Sequence, residues 1–293
     1  MPSSTATVAA GGALTEPQVQ AILVKPLEQA SVFLSAQPRI FDVTAAGSVR
    51  IPRLVSMTAP SFHGENELIS EVDPTFGEVV LLNGTKSLKS ITRFSNELAR
   101  SSVVALDAAL RDKMVLDVAA RLDTAFFNGT GLSGEPLGLL SYTGVQSTAA
   151  VGALTLDKLL DAVALAYSAN VDASRLRWVM PSRSFIALRK LKDAQGQYLL
   201  QPDVTADAPF RLLGYPVLVT NRIPTNGGAG LNEGSVVLAD FSQIAVARDL
   251  APSVKLLDQT YAAFDQQAIR VIARYDAAPL NPQAVIVLRG VTS

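Results

Sequence analysis

The longest helical pattern of apolar and polar residues runs from Asn96 to Phe127, a stretch with neither Gly nor Pro. Apolar residues recur there close to helical spacing, at positions 98, 103, 106, 110, 114, 118, 122 and 126. Ser95 is a candidate N-cap, and Glu97 is favourable in the first turn. A continuous helix of this length would extend for about 48 Å at about 1.5 Å per residue. The pattern therefore predicts a beam that supports much of the molecule.

A glycine cluster follows this helix and contains a G-x-G-x-x-G sequence at Gly129, Gly131 and Gly134. A dinucleotide site requires a strand before such glycines and a helix that opens on the last one. Here the helix comes first and a Glu-Pro turn follows, so the cluster ends a helix. We predict a structural corner, in which Gly129 adopts a positive φ as a helix C-cap. Its residues are Asn128, Gly129, Gly131, Pro136 and Gly138.

Residues 40 to 92 have the pattern of extended structure. Residues 49–54 are predicted to form the end of one strand, and residues 77–82 form another. Asn83-Gly84 is a sequence typical of a type I′ hairpin turn. The segment 59–74 between the strands is polar and acidic. An isolated two-stranded ribbon is marginally stable at best, so we expect this ribbon to lie on another surface.

Residues 150 to 250 are typical of a separate α/β lobe. Thr155 is predicted to cap a helix, followed by a strand at 177–180 and a second helix through 185–191. Further strands are predicted at 215–220 and 235–239. C-terminal strands at 254–257, 268–275 and 284–288 are predicted to pack against the long helix.

The N-terminal region differs from the rest of the chain. Residues 1 to 15 lack periodicity and cannot bury enough apolar surface to offset the entropy of ordering, so we expect a loose arm. A helical pattern follows from Thr15 to Leu34. Pro26 interrupts it, which predicts a short or kinked helix.

Composition excludes several classes of protein. The chain has 293 residues, of which 48% are hydrophobic and 17% charged, with a formal net charge of -1. Such a balance provides no basic field for holding nucleic acid. The absence of cysteine excludes disulfides and thiolate metal sites. No apolar run approaches the roughly 20 residues of a membrane span, and the N-terminus lacks a signal-peptide pattern.

Candidate catalytic groups are few. His63 is the one histidine in the chain, and it lies in the polar segment of the ribbon without a G-x-S-x-G motif elsewhere. Carboxylates such as Glu65 and Glu71 are expected to be solvated rather than catalytic. Trp178, on an alternating strand, is expected in the core. We therefore predict no catalytic site, no cofactor and no metal centre, and a chain that is not an enzyme.

The order of elements and the motif after the long helix resemble the major capsid proteins of tailed bacteriophages, which have the Hong Kong 97-type fold. The motif is Asp123–Gly131 followed by Glu135–Leu140, similar to the family's aromatic-Asn-Gly-x-Gly and x-Pro-x-Gly-aliphatic pattern. The resemblance covers nearly the whole chain beyond residue 15. Supporting similarities occur in the family's order at Phe76–Leu81, Phe94–Leu98, Trp178–Ser182, Leu213–Val217, Leu238–Ser242, Arg274–Asp276 and Pro282–Val285.

The resemblance implies an α+β, Hong Kong 97-like capsid fold in five parts. They are an N-terminal arm (1–47), an extended β-hairpin loop (48–92), a peripheral domain with the spine helix (93–149), an α/β axial domain (150–250) and C-terminal strands of the peripheral domain (251–293). The resemblance would also explain why the ribbon and the arm are expected to have no core of their own. Their partners would be other copies of the same chain.

The implied function is a major capsid protein that self-assembles into hexamers and pentamers. These would form the icosahedral head shell around the double-stranded DNA genome of a tailed phage, assembled in the host cytoplasm and retained in the virion. Besides itself, the expected partners are a portal and a separate scaffolding or decoration protein. The packaged DNA would be enclosed without sequence-specific binding, and no membrane partner is expected.

Two departures from the family pattern affect these expectations. Many members begin with a long scaffolding segment, whereas Met1 lies shortly before the arm here, so we expect either a separate scaffolding protein or assembly without one. Some members crosslink a lysine of the extended loop to a neighbouring asparagine. Lys86 and Lys89 lie near the base of the ribbon, so no crosslink is expected.

Two alternatives remain open at this point. On the same fold, an encapsulin-type nanocompartment would enclose a cargo enzyme instead of a genome, and the near-neutral charge does not separate it from a virus shell. From a different class, a soluble enzyme would use the glycine cluster as a phosphate loop. Shell assembly by the chain alone would exclude the enzyme.

Overall fold

The computed structural model describes residues 31–43, 48–56, 62–66, 68–69, 71, 73–82, 86–101, 106–148, 150–193, 195–197, 210–257 and 259–292. The first 30 residues, with the predicted arm and its Pro26-interrupted helix, lie outside these ranges. So do Asn83-Gly84 and the segment 102–105. None of the helices in the described ranges is both long and apolar enough to cross a membrane.

Five α-helices occur in the described ranges: α1 (Val32–Ser35), α2 (Asn96–Ser101), α3 (Leu106–Asn128), α4 (Leu156–Ser168) and α5 (Ser182–Arg189). The predicted beam is present as α2 and α3, and the junction between them falls in the segment outside the described residues. The Leu98 N–H donates to Ser95 Oγ at 3.1 Å, which confirms the predicted N-cap. The end of α3 at Asn128 confirms the predicted stop.

Thirteen strands occur in the same ranges: β1 (Arg39–Asp42), β2 (Val49–Ser56), β3 (Thr75–Leu81), β4 (Leu88–Ser95), β5 (Gln146–Thr148), β6 (Gly152–Ala153), β7 (Leu176–Met180), β8 (Arg211–Leu212), β9 (Tyr215–Val219), β10 (Glu233–Asp240), β11 (Ile244–Leu257), β12 (Gln266–Pro279) and β13 (Val285–Thr292). They form a four-stranded sheet, a seven-stranded sheet and a two-stranded ribbon.

The four-stranded sheet has the order β1-β11-β12-β4. β1 runs parallel to β11, and the two other pairs are antiparallel. One face of this sheet buries Ile269, Val271 and Ala273 against α3 and the aromatic side chains around it. The predicted packing of C-terminal strands against the long helix is therefore confirmed for β12.

The seven-stranded sheet has the order β5-β13-β10-β7-β9-β8, with β6 also pairing with β13. β13 pairs antiparallel with β10 along the strand, so it lies in a different sheet from β11 and β12. It is buried on both faces. Val285 and Val287 point toward the α3 core, while Ile286 and Leu288 point toward α4 and α5.

The ribbon consists of β2 and β3, which pair antiparallel from Val49–Leu81 toward Ser56–Thr75. β4 follows β3 in the chain but pairs with β12 instead. The prediction of a hairpin across Asn83-Gly84 is therefore wrong, because the flanking strands belong to different sheets. The ladder of the ribbon ends at Leu81, while residues 88–92, assigned above to the extended loop, lie in the four-stranded sheet.

An aromatic cluster joins the first described residues to the end of α3. The ring of Phe33 lies 4.9 Å from that of Phe126, 5.3 Å from that of Phe127 and 5.6 Å from that of Phe241 between centroids. All four side chains are fully buried. On the other face of the seven-stranded sheet, Trp178 is fully buried with α4 and α5, which confirms its predicted core position.

Candidate functional site

The corner after α3 is held by backbone hydrogen bonds between its glycines and the turn that follows. The Gly129 N–H donates to Ala125 O at 2.8 Å and completes the last turn of the helix. The Gly138 N–H donates to Gly129 O at 2.9 Å, and the Gly131 N–H donates to Pro136 O at 3.2 Å. The chain therefore folds back on itself directly at the end of the helix.

Close approach, rather than an unusual dihedral angle, explains the glycine at 129. The predicted positive φ at Gly129 is wrong, because the glycines of this segment with positive φ are Gly131 (73°) and Gly134 (79°). A Cβ on Gly129 would lie 2.1 Å from Pro136 O and 2.5 Å from Ala125 O. No side chain fits in that space, so the position requires glycine for steric reasons.

Glu135 stabilises the corner through contacts of its side chain and its carbonyl oxygen. The sequence pattern did not predict this role. Its Oε2 accepts hydrogen bonds from the Thr130 N–H at 3.1 Å and from Thr130 Oγ1 at 2.9 Å. Its Oε1 lies 3.3 Å from Arg121 Nη2 on α3, and its carbonyl oxygen accepts from Lys86 Nζ at 2.7 Å. The Thr130 N–H in particular lowers the pKa of Glu135 below its ordinary value.

The corner does not have the geometry of a phosphate loop. After the glycines the chain forms only a short turn at Leu139–Ser141, so the segment that follows them in the described chain does not open an α-helix on the cluster. A cleft of about 270 Å³ opens beside the corner, lined by α3, the corner and the start of β4. Arg121, Lys86 and Glu135 line it together, and Glu135 contacts each of the other two.

The residues considered above as candidate catalytic groups lie in the ribbon segment and not in the corner. His63 is half-buried, and the neighbouring Glu65 and Glu71 are exposed in the ribbon segment. Within the described ranges, no three His, Cys, Asp or Glu side chains come close enough together to hold a metal ion. The described carboxylates that lie deepest have structural contacts instead.

Asp123 on α3 anchors the first described residues of the chain. Its carboxylate accepts Ser31 Oγ at 2.5 Å and the Val32 N–H at 2.7 Å. The Asp123 side chain is buried, and this burial raises its pKa above the ordinary value. Together with the buried ring of Phe33, this contact fixes the first described residues against α3.

Asp276 on β12 anchors the base of the ribbon in a similar way. Its carboxylate accepts the Leu82 N–H at 2.8 Å and the Ala277 N–H at 3.0 Å. Burial raises the pKa of Asp276, although these hydrogen bonds and the charge of Lys86 oppose the shift. The nearby Tyr142 hydroxyl has its pKa raised to about 12 by burial and by the Asp276 charge.

The far end of the ribbon exposes large apolar side chains. Phe62 is fully exposed, and Leu68, Ile69 and Phe76 expose 88%, 76% and 70% of their area. Large apolar side chains exposed in one segment are typical of a surface that binds another protein. The predicted need of the ribbon for another surface therefore has a physical basis at its tip.

Comparison with known proteins shows similarity to phage capsid proteins across nearly the whole chain. The profile described as the phage capsid family matches residues 11–290. The major capsid protein of Klebsiella oxytoca phage phiKO2 is 24% identical over 96% of this chain and 68% of its own length. That of Halomonas phage phiHAP-1 is 22% identical over 83% of this chain, which spans only 38% of that relative's length.

Solved structures share the fold. The capsid of a native GTA particle with C5 symmetry has a TM-score of 0.77 at 21% identity and covers 98% of both chains. A chain from Mycobacterium phage Adephagia has a TM-score of 0.72 at 19% identity, over 96% of this chain and 97% of its own. These matches confirm the predicted Hong Kong 97-like α+β fold. The chain belongs to the phage capsid family.

Proposed function

We propose that this chain is the major capsid protein of a tailed phage and that it assembles with copies of itself into the head shell. The observation that carries the proposal is the ribbon, whose exposed Phe62, Leu68 and Ile69 have no core within their own chain. Membership of the phage capsid family supports a second copy as the surface that covers them.

The assembly route is the finer part of the proposal. The subunits form hexamers and pentamers, and these close into an icosahedral shell around double-stranded DNA. A portal and a separate scaffolding or decoration protein assist, and assembly takes place in the host cytoplasm. The role needs no catalytic centre, so we propose a chain without enzymatic activity.

The encapsulin-type compartment remains the alternative use of the same fold. The relatives named above are major capsid proteins of phages, and this favours a shell that encloses a genome. A groove that binds a short cargo peptide would favour the compartment. Co-expression with candidate cargo, followed by analysis of particle contents, separates the two.

Expression of the chain alone tests the proposal. Size-exclusion chromatography and negative-stain microscopy should show hexamers, pentamers or closed shells. A nucleotide-binding assay on the same material tests the enzyme alternative. A monodisperse monomer that binds nucleotide would overturn the proposal.

A further inference from the structure

The region of α5 carries a concentration of positive charge in a chain that is nearly neutral overall. Between Asp172 and Asp193 the sequence contains six Lys or Arg residues and no acidic residue, although the formal net charge of the chain is -1. Four of the six lie on α5 or directly after it, and another cation begins β8. We call these five residues the basic patch: Arg183, Arg189, Lys190, Lys192 and Arg211.

Helical spacing places cations of α5 on the side that faces away from the core. Arg183, Ile186 and Lys190 recur at intervals of three and four residues and therefore share one side of the helix. All three are exposed. The opposite side packs on the seven-stranded sheet through Leu188, which is buried. The charged side of α5 is therefore presented to the surroundings of the chain.

Two aromatic rings join α5 to β8 across the patch. The ring of Phe185 lies 5.1 Å from that of Phe210 between centroids. The Arg189 guanidinium lies over both rings, 5.9 Å from the centroid of Phe185 and 5.6 Å from that of Phe210. Because Arg211 follows Phe210 directly, these contacts bring cations of the two elements onto one surface.

The described acidic side chains do not neutralise the centre of the patch. Arg189, Lys190 and Arg211 form no ion pair with any residue in the described ranges. The acid that follows the patch in the sequence is Asp193. Its Oδ1 accepts two backbone N–H groups of its own turn, at 2.9 Å and 2.8 Å. The patch therefore keeps a positive charge that a partner can neutralise.

A regular polyanion suits this arrangement of cations. The eight residues of α5 extend for about 12 Å at about 1.5 Å per residue. Double-stranded DNA carries one negative charge per about 1.7 Å of its axis. Several phosphates can therefore face the patch at once, and contacts of Lys and Arg with phosphates require no particular base sequence.

We propose that the basic patch binds the phosphate backbone of the enclosed double-stranded DNA, so that the α5 side of the seven-stranded sheet faces the inside of the shell. This inference rests on the proposed shell function and adds the surface that meets the genome. The chain need not be basic overall. A few phosphate contacts in each copy are multiplied by the number of copies that line one shell.

A DNA-binding titration of the unassembled full chain tests the patch. Fluorescence anisotropy of a labelled double-stranded oligonucleotide should give a dissociation constant in the non-specific range of about 10⁻⁴–10⁻⁶ M for wild type at physiological salt. Lys190→Gln with Arg211→Gln should weaken binding about tenfold or more in low salt. The same change should reduce the slope of log K against log[salt] by about 2.

The matched control for this titration is Lys89→Gln with Lys255→Gln. These two exposed cations lie on the four-stranded sheet, and their replacement changes the net charge equally. The control should bind DNA as wild type does. Thermal unfolding of both double variants should match wild type, because the altered side chains are exposed, and this excludes misfolding as the cause of weaker binding.

The direction in which the patch faces has a separate test. The chain has no cysteine, so Lys190→Cys provides a single thiol for a maleimide–biotin label. Streptavidin should bind the labelled chain before assembly but not after the chain has been built into closed shells. Shells that are opened again should regain streptavidin binding.

The outcomes separate the DNA surface from the shell function. Equal DNA binding by wild type and the Lys190→Gln, Arg211→Gln variant would overturn the DNA surface while the shell function stands. Streptavidin binding to closed shells would do the same. Unchanged DNA binding with a lower particle yield in that variant would also overturn it and identify the patch as a contact between copies. Absence of assembled particles from wild type would instead contradict the proposed function.

Discussion

Gly138 lies against Gly129 with no room for a side chain between them. A Cβ on Gly138 would lie 2.4 Å from the Gly129 nitrogen and 2.6 Å from Phe127 O. Optimal contacts between non-bonded atoms are about 3.5–4.0 Å. The two glycines therefore bring the segment after Pro136 directly onto the last turn of α3.

Gly138→Ala should lower the free energy of unfolding by about 3 kcal/mol or more, because the added methyl group must displace backbone atoms. Urea denaturation of the unassembled chain measures this change. Gly234→Ala is the control, since its Cβ would meet Thr225 Cγ2 at 3.5 Å, an ordinary contact. Equal effects of the two substitutions would contradict the steric explanation of the corner.

Ser31→Ala should lower the free energy of unfolding by about 1–2 kcal/mol. The substitution removes the Oγ that donates to Asp123 and accepts the Leu34 N–H at 3.2 Å as the cap of α1. Ser35→Ala is the matched control, because Ser35 Oγ only donates to Val32 O in an exposed position. Equal denaturation curves for wild type and Ser31→Ala would show that this anchor has no energetic role.

Asp276→Asn should change how stability depends on pH. Burial raises the pKa of Asp276 in the folded chain above the ordinary value of 3.8, so the folded state binds the proton more tightly than the unfolded state. This contribution to stability is fully present below about pH 4 and is lost as pH rises through the folded pKa. Asn cannot titrate, so the variant should gain stability relative to wild type as pH rises.

Denaturation of wild type and Asp276→Asn at a series of pH values checks this sign. The difference in unfolding free energy should move in favour of the variant as pH rises above about 4. The raised pKa of Asp123 affects both proteins and cancels in the difference. If this difference in unfolding free energy stays constant with pH, or moves in favour of wild type as pH rises, the prediction is contradicted.

Phe62→Ser should impair assembly without destabilising the unassembled chain. The side chain is fully exposed, so its removal costs no core packing, but it removes apolar area from the proposed contact with a second copy. Particle yield by sedimentation, together with thermal unfolding of the monomer, tests this. Phe62→Leu keeps an apolar side chain and should assemble. Equal yields from Phe62→Ser and wild type would exclude the residue from the interface.

Local features of the fold were predictable because local spacing determines them. The end of α3 at Asn128 follows from an apolar period that stops at a glycine. Thr155 caps α4 as predicted, with its Oγ1 accepting the Lys158 N–H at 3.4 Å. Pairings between distant segments were not predictable in this way. β13 and β10 lie far apart in the sequence, and nothing in either strand specifies its partner.

The steric origin of the corner could not be predicted from the sequence. The cluster around Gly129 indicated a corner, whereas its steric origin depends on Pro136 O, which only the folded chain brings near. The burial of Asp123 could have been predicted, because this single acid lies beside the apolar Leu122 and three residues before Phe126 in the helix. Asp276 and Glu135 had no comparable signal, because their partners come from other elements.

The mass of the purified wild-type chain in solution tests the shell assignment most directly. Sedimentation velocity over a range of protein concentrations should show pentamers, hexamers or larger closed particles in place of the 30.9 kDa single chain. Such particles would agree with the exposed apolar side chains at the far end of the ribbon, such as Phe62, and their proposed contact with another copy. A single species at the mass of one chain at every concentration, even with a scaffolding protein added, would contradict the account.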